Sequence, residues 1–495
     1  MEPRIVPRSE HNVSRQDIDP DALRILYRLN KNGHCGYLVG GGVRDLMLGR
    51  QPKDFDIATD ARPRRVKRLF RNCRIIGRRF RLAHLHYPGE KIIEVATFRS
   101  TSASDGIVRD GELIQRDNVY GTAEEDALRR DLTINGLFYN IDDFSVIDYV
   151  GGVDDLRAGL VRTIGDPVAS FREDPVRMTR TLRHAARLGF DLEPATRRAL
   201  HTEREEIHKA NAARLIEEIY KDLSSGCAAR FFADLHDHDF LKILVPDLVK
   251  TFRRRGGRSG KALFLECLDR IDENRAAGRE VTHAQGLAAL FAPLILPIAR
   301  DVEETSHDGS VAEIFQEELE PIFRDMRVYR RDQERLWHVL GAWHRLQRAI
   351  DRGKIPQSLK QRHYLPEAAE IVRILEEPSD AVDDFVDEVR SLPPVPAPKD
   401  EGRRRRRPRG PRKKGASKGA GAARAAKQTK DAATPQRKKG PASKNTGSKK
   451  RRRPRRKPGG KPSGAKPSGT ARTGSGHSRS AGPAGPRKSS HGKSG

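Results

Sequence analysis

The sequence has few cysteines and no long apolar segment. Its four cysteines, Cys35, Cys73, Cys227 and Cys267, are isolated and form no Cys-x-x-Cys pair, which argues against a zinc ribbon and against a disulfide framework. Residues 1–16 contain no apolar stretch of the kind found in signal peptides, and no run of 18 apolar residues occurs anywhere. We therefore expect reduced cysteines in a soluble, cytoplasmic protein with no membrane partner.

Acidic residues are nearly absent from the C-terminal part of the chain. From Lys399 onward there are 33 basic and 3 acidic residues, which leaves 63 of the 96 basic and 65 of the 68 acidic residues before that point. The formal charge of +28 is thus a property of this tail, with its densest clusters at Arg403–Arg407 and Lys449–Lys457. Its Lys/Arg/Gly/Pro/Ser composition predicts disorder over residues 393–495. A flexible polycation binds RNA by releasing counterions, whatever the RNA sequence.

A chain of 495 residues is too long for a single core, and its patterns change along its length. Residues 1–20 are polar and are predicted to be flexible. Residues 21–165 combine short alternating segments with glycine turns, which predicts a mixed α/β head domain. The apolar spacing after that is helical, which predicts an all-α neck over residues 166–235 and an all-α body over residues 236–392. We expect the neck to bind nucleotide and RNA and the body to bind RNA.

Two aspartates, Asp54 and Asp56, follow a glycine-rich turn. On a strand, residues i and i+2 project from the same face about 7 Å apart, so the two carboxylates can share magnesium. Phosphoryl transfer with two Mg²⁺ ions needs such hard oxygen ligands. The turn around Gly41 lets backbone N–H groups approach a triphosphate, which Arg44 can neutralise. An Asp-x-Asp pair alone is more often a solvated turn, so the prediction depends on the combination.

These residues are part of a longer resemblance. Leu38–Asp45 together with Asp54–Ile57 resembles the first motif of the class II tRNA nucleotidyltransferase and poly(A) polymerase family, which belongs to the polymerase-β-like nucleotidyltransferases. Two further motifs follow in the family's order, Glu125–Asn135 and Glu173–Arg183. The resemblance runs from about residue 35 to 225. It implies a polymerase-β-like head, ATP as substrate, two Mg²⁺ ions and an RNA 3′ end as acceptor.

The second motif supplies candidates for the ribose and metal sites. The resemblance implies that Arg130, Asp131 and Asn135 distinguish ribose from deoxyribose and support the metal site, with Asp131 as the third catalytic carboxylate. The structural alternative is that Asp131 caps the helix or pairs with Arg129. Glu94, on a neighbouring predicted strand, is a rival for the third position, and the sequence does not decide between the two.

The third motif places charged residues on a predicted helix. Asp174, Arg177, Arg180 and Arg183 recur every three residues and so form one slowly rotating stripe. An aspartate accepts from an exocyclic amine and an arginine donates to ring acceptors, so Asp174 and Arg177 could read a base edge. The resemblance implies this role for them and phosphate binding for Arg180 and Arg183. A surface helix with i,i+3 salt bridges is the alternative.

One segment bears on substrate choice. Ile75–His84 resembles the segment that marks bacterial poly(A) polymerases, and the basic tail suits an enzyme that holds many different RNAs. We therefore predict a template-independent polynucleotide adenylyltransferase; the resemblance further implies that its product is marked for RNA decay and that the decay machinery is a partner. The alternatives are a CCA-adding tRNA nucleotidyltransferase and a non-catalytic RNA-binding protein.

Overall fold

The computed structural model describes residues 2–77, 81–100, 107–109, 112–114, 119–252, 260–305 and 311–396. The prediction of a disordered tail therefore falls almost wholly outside the described residues. Three residues of the Ile75–His84 segment, Arg78, Arg79 and Phe80, also lie outside them.

Twelve strands are assigned within these ranges. An eight-stranded sheet has the order β1-β10-β9-β2-β3-β6-β5-β4, and its only parallel pair among the described strands is β3 with β6. The strands are β1 Arg4–Val6, β2 Gly36–Val39, β3 Asp56–Thr59, β4 Cys73–Ile76, β5 Leu82–His86, β6 Ile92–Thr97, β7 Ile107–Arg109, β8 Glu112–Ile114, β9 Leu137–Asn140, β10 Val146–Asp148, β11 Leu160–Val161 and β12 Asp191–Leu192.

Helices form most of the described chain after the sheet, as the apolar spacing predicts. None of the described helices is long and apolar enough to cross a membrane. The helices are α1 Pro20–Lys31, α2 Gly41–Met47, α3 Pro63–Leu69, α4 Ala123–Leu128, α5 Gly152–Ala158, α6 Pro167–Glu173, α7 Val176–Leu188, α8 Pro194–Glu203, α9 Ala212–Leu223, α10 Ala228–Asp237, α11 Phe240–Leu244, α12 Pro246–Thr251, α13 Gly260–Ala276, α14 His283–Leu290, α15 Ala292–Thr305, α16 Val311–Asp325, α17 Arg330–Arg352, α18 Gln357–Lys360, α19 Leu365–Leu375 and α20 Asp380–Ser391.

The two faces of the large sheet differ in what covers them. Helices α1 and α3 pack on one face, where Ile57 and Val95 are buried in the main core. Side chains alternate between faces along a strand, so Asp56 and Glu94, each one residue earlier, project from the opposite face. The parallel register that pairs Ile57 with Val95 places these two carboxylates on neighbouring strands.

The N-terminal segment differs from the prediction of flexibility for residues 1–20. Residues Arg4–Val6 form the edge strand β1, which pairs with β10, and Val6, Val13 and Ile18 are buried. Their burial explains the order: three apolar residues spaced through an otherwise polar segment are enough to fix it to the head.

The boundary predicted between neck and body, after residue 235, falls inside helix α10.

Candidate active site

A pocket of about 430 Å³ lies between the head and the helices that follow it. The turn from β2 into α2 forms one wall. Gly40 has φ of 69° and ψ of −135°, a conformation that side-chain-bearing residues rarely adopt. A Cβ at this position would lie 3.1 Å from a guanidinium nitrogen of Arg130. The positive φ therefore favours glycine here, and a Cβ would force the Arg130 side chain to shift by a few tenths of an ångström.

The carboxylates of Asp54 and Asp56 lie on the rim of this pocket. Asp56 begins β3, and Asp54 lies just before that strand. Burial raises the pKa of Asp56 to about 6, with the negative charges of Glu94 and Asp54 adding to the effect and Arg130 opposing it. Within the described part of the chain, neither Asp54 nor Asp56 forms an ion pair with a basic side chain. The two aspartates are thus brought together as predicted, with Glu94 as the third nearby carboxylate.

Asp131 lies in the same pocket in a different electrostatic environment. Its carboxylate accepts hydrogen bonds from Arg180 Nε at 2.8 Å and from the backbone N–H of Leu132 at 2.9 Å, and it forms a 2.7 Å ion pair with Arg180 Nη2. Arg180 is the main favourable influence, and it holds the pKa of Asp131 far below its usual range despite burial. Asp131 therefore pairs with Arg180 of the third motif, not with Arg129.

Arg130 and the start of helix α4 form the support beneath the glycine turn. Thr122 caps the helix, since its side chain accepts from the backbone N–H of Glu125 while the Glu125 side chain accepts from that of Thr122. The helix holds Asp126 in place, and Asp126 accepts a 3.0 Å hydrogen bond from Arg130 Nη2. The Arg130 guanidinium also lies 5.1 Å from the centre of the Phe138 ring, an attractive cation–π arrangement.

Arg44 is 1% exposed although it lines the pocket. Its Nε and Nη2 both donate to Asp45 Oδ1, at 2.8 and 2.7 Å, and its Nη1 donates to Asn135 Oδ1 at 2.6 Å. Burial lowers the pKa of Arg44 from its ordinary value, and Asp45 opposes this effect. Much of its hydrogen-bonding capacity is therefore used within the protein, and it links helix α2 to the second motif.

The predicted base-reading pair lines the pocket. Asp174 precedes helix α7 and accepts two hydrogen bonds from Arg214, at 3.0 and 2.8 Å. Arg177 donates to Glu173 at 2.7 Å and to the Ser170 hydroxyl at 3.0 Å. Both residues line the pocket, as the helical stripe predicts, and each is already held by a neighbour.

Arg183 departs from the rest of the stripe because it does not line the pocket. Its guanidinium donates to Asp222 and to Glu218 on helix α9, the latter at 2.5 Å. Asp222 is 1% exposed and Arg183 only 11% exposed. The phosphate role implied for Arg183 is not supported by this placement; the residue links α7 to α9 instead.

Four pocket residues were missed by the sequence reasoning: Lys53, His184, Arg187 and Arg214. Arg187 lies seven residues after Arg180 on α7, so the helical repeat could have identified it. It forms a 2.9 Å ion pair with Asp45. His184 contacts Arg44 and Asn135, and burial and the charge of Arg44 hold its pKa well below the ordinary value. Nothing in the sequence assigned Lys53 or Arg214 to this pocket.

The carboxylate cluster suits magnesium in its chemistry, although it is not a complete ligand set. Among the described residues, no three His, Cys, Asp or Glu side chains are arranged to hold a metal ion by themselves. Mg²⁺ is commonly bound through one or two carboxylates, with substrate phosphates and water completing its six ligands. Burial raises the pKa of Asp56, and the nearby negative charges of Glu94 and Asp54 add to this rise; a divalent cation would offset their charge.

The sequence matches two family models. Residues 36–162 match the poly(A) polymerase head domain, and residues 189–251 match a family described as a probable RNA- and SrmB-binding site of polymerase A. Poly(A) polymerase I of Escherichia coli O6:H1 is 39% identical over 365 residues, which cover 68% of this chain and 78% of that enzyme. This chain belongs to the poly(A) polymerase I family.

Two other relatives show how far along the chain each kind of match extends. Poly(A) polymerase I of Salmonella typhimurium is 43% identical over 309 residues; the chain spans 66% of it, just under two thirds of its length, and 61% of the chain is matched. A CCA-adding enzyme of Bacillus pumilus is 38% identical over only 183 residues, 37% of this chain and 44% of that enzyme. The match to the poly(A) polymerase I family thus extends much further along the chain.

The fold is also shared with a solved structure. The Bacillus stearothermophilus CCA-adding enzyme in complex with CTP has a TM-score of 0.51 at 24% identity, covering 75% of this chain and 82% of that one. This likeness confirms the predicted nucleotidyltransferase head followed by helical domains. It shows the fold alone.

Proposed function

We propose that this protein is a template-independent polynucleotide adenylyltransferase, which adds AMP from ATP to RNA 3′ ends. One feature of the pocket carries the proposal. Asp54 and Asp56, which form no ion pair with basic side chains of the described chain, line a pocket that is also lined by many basic side chains. Such a lining suits a triphosphate at the basic side chains and metal-assisted chemistry at the two unpaired carboxylates.

Asp54 and Asp56 are the proposed ligands of two Mg²⁺ ions, and the surroundings favour Glu94 over Asp131 as the third carboxylate. Magnesium bound there would lower the pKa of the RNA 3′-hydroxyl and offset the charge of the leaving pyrophosphate. Glu94 acts electrostatically on Asp56, whereas the charge of Asp131 is offset by Arg180. We propose that Asp131 positions Arg180.

The basic wall is proposed to hold the nucleotide. Lys53 and Arg187 project into the pocket beside the turn that contains Gly41, and they would bind the triphosphate together with Arg180. Arg44 would act indirectly, by fixing Asn135 and Asp45. The triphosphate would thus lie where the sequence predicts, but it would be contacted by Lys53, Arg180 and Arg187 and not by Arg44.

Base selection is proposed to depend on Asp174 and Arg177. Arg214 donates one hydrogen bond to each oxygen of Asp174, and this pair of bonds fixes the plane of the carboxylate. A carboxylate has about four acceptor positions, so Asp174 keeps the capacity to accept from the exocyclic amine of adenine. Arg130 and Asn135 face the region between the glycine turn and Asp131, where the ribose would lie.

In the cell, we propose a cytoplasmic role in which added adenylate marks RNA for decay. This proposal follows the family resemblance and the 33 basic residues from Lys399 onward, which suit binding to many transcripts. The RNA-decay machinery is the proposed partner.

The function is tested by incubating the protein with Mg²⁺, each labelled nucleoside triphosphate in turn, and either an unstructured RNA or a tRNA that lacks its CCA end. We expect a long ladder of products with ATP on the unstructured RNA. The Asp56→Asn variant should lose at least about 10²-fold in rate, because a proposed metal ligand is removed while the side-chain shape is kept. Incorporation of CTP that stops after completing CCA would support the CCA-adding alternative. Equal RNA binding with no incorporation of any nucleotide would favour a non-catalytic protein.

The third carboxylate is tested by comparing Glu94→Gln with Asp131→Asn. Both changes remove one charge at nearly constant volume. We expect Glu94→Gln to lower kcat and to raise the Mg²⁺ concentration needed for half-maximal rate. Asp131→Asn should mainly raise the KM for ATP, since it releases Arg180. The reverse pattern would restore Asp131 as the third metal carboxylate.

A further inference from the structure

The strands beyond Glu94 present a row of polar side chains that continues from the catalytic carboxylates. The sheet order β3-β6-β5-β4 and the strand registers place Asp56, Glu94, His84 and Arg74 on successive strands and on the same face. His84 Nε2 lies 3.2 Å from Glu94 Oε1. With strands about 4.8 Å apart, the row extends about 14 Å from Asp56 to Arg74.

Apolar groups lie beside this row on the same face. His86 is opposite Ile92, and Ile76 is two residues after Arg74; alternation places all three on the face of Glu94. Ile76 is 45% exposed and Ile92 is 44% exposed. The opposite face of these three strands is buried against α3 through residues such as Ala83, Leu85 and Ile93.

We call the surface formed by Arg74, Ile76, His84, His86 and Ile92 the sheet platform. It offers two imidazole rings 6.5 Å apart, two exposed aliphatic side chains and an exposed arginine. Arg74 has no ion pair within the described residues. The two histidines are partly buried, and Arg74 and the two isoleucines beside them are exposed. Rings and apolar groups on a sheet face provide stacking surfaces for unpaired bases, and an arginine beside them can bind a phosphate.

The position of the platform indicates which part of the substrate it meets. The pocket assigned to ATP lies on the side of Asp56 that faces β2 and α7. Neither Glu94 nor the platform residues line it. In an in-line displacement the attacking oxygen and the leaving group lie on opposite sides of the phosphorus. If pyrophosphate leaves on the pocket side, the RNA 3′-hydroxyl must arrive from the side of β6, β5 and β4.

We propose that the sheet platform binds the 3′-terminal nucleotides of the acceptor RNA, with bases against His84, His86 and the exposed isoleucines and a phosphate at Arg74. This inference rests on the proposed function and adds the location of the acceptor. Single-stranded RNA is favoured over a protein segment because the surface continues directly into the carboxylate row where the 3′-hydroxyl reacts.

The kinetic test compares Arg74→Ala and His86→Ala with Arg68→Ala in the full-length chain. Arg68 is exposed on α3, which covers the other face of the same sheet, so it matches the charge loss at Arg74. With a short oligoadenylate acceptor, we expect the KM for RNA to rise about tenfold in the Arg74 and His86 variants. The kcat at saturating RNA and the KM for ATP should stay within twofold, and Arg74→Lys should recover part of the affinity. Arg68→Ala should match the unaltered protein.

A second measurement does not depend on activity. An oligoadenylate carrying 2-aminopurine as its last base is titrated with each protein without ATP or metal. We expect its fluorescence to be quenched by stacking on the unaltered protein and on Arg68→Ala, and to be quenched much less on the His86→Ala variant.

The outcomes separate this inference from the proposed function. If the unaltered protein incorporates no nucleotide but quenches the probe in a His86-dependent way, the proposed function fails while the binding surface stands. If incorporation is normal, and neither KM for RNA nor quenching changes in the Arg74 and His86 variants, the platform does not hold the acceptor and this inference is overturned.

Discussion

Replacing Arg183 with methionine tests whether this residue is structural. Arg183 pairs with Glu218 and with Asp222, and the Asp222 side chain is 1% exposed. Removing one partner of a buried ion pair costs about 3–5 kcal/mol, because the remaining charge is left without compensation. An unfolding entropy of about 2.1 cal/mol/K per residue over residues 2–396 gives about 0.8 kcal/mol/K, so we expect Tm to fall by roughly 4–6 °C.

The loss of stability should depend on pH. Burial raises the pKa of Asp222 to about 7, and Arg183 opposes this rise, so the pKa should rise further in Arg183→Met. A carboxyl group with a raised pKa in the folded state contributes stability at low pH, and this contribution is lost as the pH rises through the folded value. The deficit in the free energy of unfolding should therefore be larger at pH 8 than at pH 6.

The assay is thermal and denaturant unfolding of Arg183→Met beside Arg197→Met. Among the described residues Arg197 forms only one ion pair, an exposed 4.0 Å pair with Asp191, so its loss should cost less than about 1 kcal/mol. At temperatures where both variants are folded, the KM for ATP should be unchanged. An unchanged Tm together with a tenfold higher KM for ATP would refute the structural role and restore Arg183 as a phosphate ligand.

Three further changes test other parts of the structure. Gly40→Ala should cost about 1–3 kcal/mol in denaturant unfolding and lower kcat, because it strains a positive φ and displaces Arg130; wild-type stability would contradict the observed turn. His184→Leu should make the loss of stability between pH 7 and pH 5 less steep. A buried neutral histidine with a lowered pKa reduces the free energy of unfolding by up to about 1.4 kcal/mol per pH unit as the pH falls below the pKa of the unfolded state. An identical slope in the variant would show that other groups dominate this pH dependence. Removing residues 397–495 should weaken RNA binding at low salt and make the dependence of log affinity on log salt shallower, as measured by fluorescence anisotropy; an unchanged slope would show that the tail makes no phosphate contacts.

Much of the fold could be predicted from local patterns. The alternation around Asp56 and the helical spacing after Asp174 identify the sheet and the helical domains because each pattern reflects the burial of one face. The edge strand Arg4–Val6 was missed, since it is only three residues long and its partner strand is distant in sequence. Pairing of this kind leaves no local signal.

The candidate site, too, could be predicted where it depends on local spacing and not where it depends on packing between distant elements. The i, i+2 spacing of Asp54 and Asp56 is enough to bring two carboxylates together. The partners of Asp131 and Arg183 depend on how helix α7 packs against the head and against α9, which the spacing of the stripe does not specify. The resemblance implied Asp131 as the third carboxylate, with Glu94 as its rival. Glu94 is favoured by the register of β3 with β6 and by the pairing of Asp131 with Arg180, neither of which the sequence reveals.

The most direct test of the central proposal is to give the protein Mg²⁺, an unstructured RNA and all four nucleoside triphosphates at equal concentration, and to sequence the added 3′ ends. The proposal predicts runs of adenylate without a fixed length, and no such addition by Asp56→Asn. Tails of mixed sequence, or addition that ends at CCA on a tRNA acceptor and leaves the unstructured RNA unextended, would contradict it.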